Sequence, residues 1–76
     1  MKRNETLYET ANFYKNKNIS VHINLASGDW LNGKIKRLSK DRLILIEERY
    51  GEMLILFERI SDDGIKPREG KYANPK

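Results

Sequence analysis

Lys34, Lys36, Arg37, Lys40 and Arg42 fall within nine consecutive residues, offset only by Asp41, and place a net charge of +4 there, as much as the whole 76-residue chain carries. Cationic side chains gathered in this way neutralise phosphates and release the counterions condensed on a polyanion. The chemistry they fit is capture of a nucleic-acid backbone, with an affinity that falls as salt rises. In an extended strand Lys34 and Lys36 share a face and Arg37 points the other way, while Ser39, Lys40, Asp41 and Arg42 form a turn that projects at a rim. The plainer reading is a solvated strand face that its lysines protect from edge aggregation. Arg59 is a further cation of interest, because a guanidinium both stacks on a base plane and forks onto phosphate. Its alternative is a salt bridge to Glu47, Glu48 or Glu58.

Other chemistries find little support. Trp30 is either a stacking platform or a residue that caps a small core or covers a subunit contact. His22 is the only imidazole and there is no Cys, so no metal site is expected and His22 reads as structural. Glu47-Glu48 and Asp62-Asp63 are adjacent pairs whose carboxylates a strand or turn points apart, which argues against a carboxylate dyad. Ser20, Ser27, Ser39 and Ser61 lack His and acid companions for a triad, and no glycine-rich phosphate loop is present. Neither an enzyme nor a cofactor is expected. Tyr8, Phe13, Tyr14 and Tyr50 sit at helical or turn positions and read as packing residues.

The elements that must position these residues are constrained by size. Seventy-six residues allow one small domain, with 38% hydrophobic residues for a core and 34% charged. Without Cys, neither disulfides nor thiolate zinc clusters stabilise it, and a chain this short buries only about 60% of its unfolded surface, so association with further copies is expected. The longest apolar runs, Leu43 to Ile46 and Met53 to Phe57, are too short to span a membrane, and no signal peptide is visible; a soluble, cytoplasmic protein is expected.

Thr6-Leu7-Tyr8-Glu9 has the form of a capping box, and Leu7, Ala11 and Tyr14 recur at helical spacing, which predicts a short helix over about 6–16. From Ile19 the period becomes two, predicting strands over 19–25 and 30–38 joined by the turn Ala26-Ser27-Gly28-Asp29. Gly33 in the middle of the second strand implies a sharp bend or a close approach of backbones, hence a strongly curved sheet. Strands follow over 42–48 and 53–58, and a short fifth over 59–65 with a turn at Asp62-Asp63-Gly64. Residues 66–76 hold both prolines and almost no aliphatics and read as a flexible basic tail. Leu43-Ile44-Leu45-Ile46 and Met53-Leu54-Ile55-Leu56-Phe57 are apolar on both faces, although antiparallel strands normally turn one face to water. Cover from a partner chain at the fourth strand is the reading adopted; tight closure of the barrel is its alternative.

In order and spacing these segments resemble the Sm-like family (Sm, LSm and bacterial Hfq) over about Thr6 to Ile65. Val21 to Gly28 matches the family's first strand and hairpin glycine, Trp30 to Ile35 its second strand with the bend glycine at Gly33, and Ser39 to Leu45 its next loop and third strand. Met53 to Ile60 matches the last two strands across a tight turn. The resemblance implies a mostly β fold: a short N-terminal helix followed by a five-stranded, strongly bent antiparallel SH3-like barrel. It also implies assembly as a ring of six or seven subunits through Met53, Leu54, Ile55, Leu56, Phe57 and Ile60. Single-stranded RNA would bind at the inner rim through the loop Ser39-Lys40-Asp41-Arg42 and through Glu58-Arg59. The family's Asp-x-aromatic-x-Asn base pocket is replaced here by Ser39, Lys40 and Asp41. The alternatives are an SH3-like interaction or structural module, or a barrel that binds duplex DNA.

Overall fold

The computed structural model describes residues 2–68. Helix α1 (Lys2–Asn16) precedes strands β1 (Val21–Leu25), β2 (Trp30–Leu38), β3 (Arg42–Glu47) and β4 (Gly51–Leu56). A 3-10 turn (Phe57–Arg59) then leads into β5 (Ile60–Pro67). The strands form one antiparallel sheet in the order β4-β3-β2-β1-β5, curled into a half-barrel, so the protein is mostly β with one N-terminal helix. Strands β4 and β5 are its edges and do not pair with each other.

Alternation builds the core. Val21 and Ile23 of β1, Leu31 and Ile35 of β2, Leu43 and Leu45 of β3 and Ile55 of β4 are buried together, with Phe57, Ile60 and Ile65 completing the interior. Leu7 and Ala11 place the apolar stripe of α1 on this cluster, with Tyr14 partly buried beside them, as the helical spacing requires. Gly33 stands opposite Glu47 across the β2–β3 ladder. A Cβ there would overlap the Ile46 carbonyl oxygen and lie 2.8 Å from its carbon, so the expected close approach of two backbones is present.

Element ends differ from the sequence expectations for identifiable reasons. The helix begins at Lys2 instead of Thr6, which leaves Thr6-x-x-Glu9 inside the helix. Its first turn is fixed from outside: the Arg3 guanidinium donates to the carbonyl oxygens of Phe57, at 3.1 Å, and Ile60, and pairs with Asp62 at 3.1 Å. At the other end Asn18 adopts a left-handed conformation (φ 58°). The Ile19 N–H donates to the Tyr14 carbonyl and the Asn18 N–H to that of Lys15, a Schellman cap. Ile19 therefore belongs to the helix cap, and β1 starts at Val21. The third strand ends at Glu47, β4 runs from Gly51 to Leu56, and Asp62-Asp63-Gly64 is an irregularity within β5 where the register against β1 shifts. Lys66 and Pro67, expected in the tail, belong to β5; residues 69–76 of that tail lie outside the described residues.

Candidate nucleic-acid interface

A bulge rearranges the basic strand. The β2–β3 register shifts between Ile35 and Arg37, and Lys36 and Arg37 are both exposed while Ile35 is buried and Leu38 packs on the core. Arg37 thus joins Lys34 and Lys36 on the solvent side, correcting the strict alternation that would have opposed it to Lys36. Lys34 is registered against Ile46, and Ile46 against Glu52. The Lys36 ammonium crosses to the Glu52 carboxylate at 2.9 Å. Three of the predicted cations therefore lie on the outer sheet surface, next to the exposed Ile46 and Leu54.

The β2–β3 turn is closed by the Ser39 N–H donating to the Arg42 carbonyl at 2.8 Å. Arg42 forks onto Asp41 through Nε at 2.9 Å and Nη2 at 3.2 Å. The hydrogen bond from Arg42 is the main reason the Asp41 carboxyl is held below its ordinary value. Ser39, Lys40, Asp41 and Arg42 line an open groove of about 980 Å³ against Asn4, Glu5, Tyr8 and Glu9 of α1, so its walls carry both signs of charge. The Phe57 N–H donates to the Asp41 carbonyl at 2.8 Å, which ties the 3-10 turn to the β2–β3 turn. Arg59 lies beyond this tie and lines a second groove with Leu25, Leu31, Met53 and Leu54. Among the described residues neither Lys40 nor Arg59 has an ion-pair partner, and the salt bridges considered for Arg59 are not formed. Glu47 pairs with Arg49, and Glu48 with Arg68.

The expected subunit-contact residues divide. Ile55, Phe57 and Ile60 are buried in the chain's own core, Phe57 and Ile60 completely. Met53 and Leu56 are partly buried, and Leu54, in the outward row of edge strand β4, is 57% exposed.

A turn between the third and fourth strands is expected from the sequence at Tyr50-Gly51-Glu52, but the role of Glu47 in it is not. The Glu47 carboxylate, fully buried, accepts from the backbone N–H groups of Asn32 (3.0 Å), Arg49 (2.6 Å) and Tyr50 (3.0 Å) and from the Arg49 guanidinium. Burial by itself raises its pKa, but these donors outweigh that penalty and hold it at about 2, against an ordinary 4.5. A depressed carboxyl pKa gives stability that is complete above pH 4.5 and is lost as pH falls toward 2. We expect Glu47→Gln to melt several degrees lower than wild type at pH 7 and to lose less on acidification over that window. Parallel acid slopes in thermal melts of the two proteins would refute this role.

The same turn sets Arg49 over two rings, 4.3 Å from the centroid of Trp30 and 4.8 Å from that of Tyr50. His22, held to Asn32 by a 2.6 Å hydrogen bond, stacks on Trp30 at 5.7 Å. Tyr50, Phe13 and Tyr8 are exposed, correcting their reading as packing residues. The β2–β3 ladder ends at the Gly33–Glu47 pair, and the turn that follows carries Arg49 and Tyr50 to Trp30, a placement made by the register. No family model and no curated protein matches the chain. Among the described residues no group of three potential ligands is placed to hold a metal, and no helix is long and apolar enough to cross a membrane.

Proposed function

We propose that this chain is an Sm-like small barrel that binds single-stranded RNA as a ring-shaped homo-oligomer. It would serve RNA protection, chaperoning or processing, and catalyse no reaction. The observation that carries the reading is the hydrogen bond from the Phe57 N–H to the Asp41 carbonyl. It joins the β2–β3 turn to the 3-10 turn before β5, and each supplies a cation, Lys40 and Arg59, with no ion-pair partner among the described residues. Two such cations, on turns tied to each other, give a flexible strand two phosphate contacts. The replacement of the family's base pocket by Ser39, Lys40 and Asp41 favours backbone capture over base selection.

Assembly follows from the edges. Strands β4 and β5 each leave a row of backbone donors and acceptors unpaired within the chain, and pairing β4 of one copy with β5 of the next satisfies both rows. Wild-type protein is expected to scatter light as a multiple of 9.0 kDa. Leu54→Glu, which places a charge in the exposed apolar row of β4, is expected to lower the mass toward one chain while leaving the circular dichroism spectrum unchanged. A wild-type monomer would sink the ring. Anisotropy titrations of short single-stranded RNA and duplex DNA across a salt series test the ligand. Tighter binding to the RNA supports the reading, whereas preference for the duplex or no binding at low salt overturns it.

A further inference from the structure

His22, Trp30, Arg49 and Tyr50 form a continuous ladder of alternating planar groups at the end of β2 opposite the Ser39–Arg42 turn. Trp30 and that turn bracket the nine residues of β2, about 25 Å of strand at the usual rise. The ladder is therefore separate from the Ser39–Arg42 turn, while its cleft shares Leu25, Leu31 and Met53 with the groove that Arg59 lines. Trp30 is 45% exposed and Tyr50 66% even with Arg49 over both rings and His22 stacked on Trp30. The arrangement is also held in place. Arg49 is bound to buried Glu47 through Nε and Nη2, and Nη2 also donates to the Trp30 carbonyl at 3.0 Å, which fixes the guanidinium over both rings. Its Nη1 takes part in none of these bonds. Trp30, Arg49 and Tyr50 line a small cleft with Asp29, so the guanidinium charge is already balanced by Glu47 and shares its cleft with a carboxylate.

We propose that this ladder is a second ligand site, one that stacks unpaired nucleobases of a single-stranded nucleic acid. Exposed rings beside a fixed guanidinium plane provide successive surfaces on which a base's π-face extends the stack, and Nη1 remains to donate to a base carbonyl or a phosphate. Because the local charge is balanced, binding here depends on the base and only weakly on salt, unlike capture by Lys40 and Arg59. The site requires neither the ring nor Lys40, which lines the groove at the other end of β2. RNA and DNA present the same π-faces, so both are accepted, and a protein partner is the competing occupant.

Trp30 is the only tryptophan of the chain, so its fluorescence reports this site alone. The full chain is titrated with an adenine-bearing RNA 12-mer, the matching DNA and an abasic oligomer of the same length, at low and high salt. Both base-bearing strands are expected to quench Trp30, with affinity changing less than about threefold between the two salts, and the abasic strand is expected not to quench. Tyr50→Ala and Arg49→Ala weaken the quenching titration about tenfold or more, whereas Tyr50→Phe retains it. The variant lacking Lys40 and Arg42, which line only the groove at the other end of β2, keeps the salt-resistant quenching, which separates a failure of this site from a failure of the proposed function. Equal quenching by the abasic strand, no response to any oligonucleotide, or an unchanged titration in Tyr50→Ala overturns the proposal.

Discussion

Gly33→Ala is expected to lower the melting temperature by about 8 to 16 °C. The glycine is opposite Glu47 at the centre of the sheet, and the new Cβ would meet only backbone: the Ile46 carbonyl oxygen and carbon, and Glu47 Cα at 3.0 Å. A flexible side chain could rotate away, but a strand paired on both sides can yield only by separating ladders. Overpacking of this kind costs about 3 kcal/mol, and each kcal/mol is worth about 4 to 8 °C in so small a domain. The roughly 1 kcal/mol gained by stiffening the unfolded chain does not offset it. Gly28→Ala is the control. Its φ of 101° is strained for alanine, but nothing lies within 4 Å of the added carbon, so a smaller loss of about 1 kcal/mol is expected. Thermal melts of both variants by circular dichroism decide the matter, and a Gly33→Ala protein as stable as Gly28→Ala would show that the β2–β3 approach is not this close.

The second large effect concerns binding. Replacing Lys40, Arg42 and Arg59 by alanine is expected to weaken single-stranded RNA binding about 100-fold at moderate salt, taking about 1 kcal/mol for each lost charge-assisted phosphate contact. The slope of log affinity against log salt becomes shallower by about 2, because three fewer phosphates are neutralised. Arg42 contributes least of the three, since Asp41 already engages it. The fold tolerates the change: all three side chains are exposed, and the Phe57 N–H still finds the Asp41 carbonyl, a backbone group. Lys34→Ala with Arg37→Ala provides the comparison, because those cations lie on the outer sheet surface. If this double variant loses more affinity than the triple one, the RNA path runs over the sheet and the two adjoining turns are not the site.

The sheet and its bend were legible because they rest on local rules. Alternation at Val21, Ile23 and Leu25 and at Leu31 and Ile35 needs only the pleat, and a glycine amid β-formers needs only the cost it would otherwise carry. The Leu7–Ala11–Tyr14 stripe follows likewise from the helical repeat. Illegible were the features that depend on distant groups. The helix gains a turn because Arg3 finds carbonyls at Phe57 and Ile60, more than fifty residues away. Lys36 bulges so that Arg37 turns outward with it, a register choice made with β3.

For the chemistry the division is similar. The sequence by itself determined a basic segment, Lys34 to Arg42, in a small β-rich chain with no Cys and a single His. Composition and spacing settle that much because charge and side-chain type do not depend on the fold. The tertiary structure alone decided how those charges divide, with Lys34, Lys36 and Arg37 on the sheet, Lys40 and Arg42 at a turn and Arg59 in a separate groove. It alone joined Glu47, Arg49, Trp30 and Tyr50, since the β2–β3 ladder sets which residues of two strands stand opposite each other, and a buried carboxylate acquires its role only from the donors that surround it.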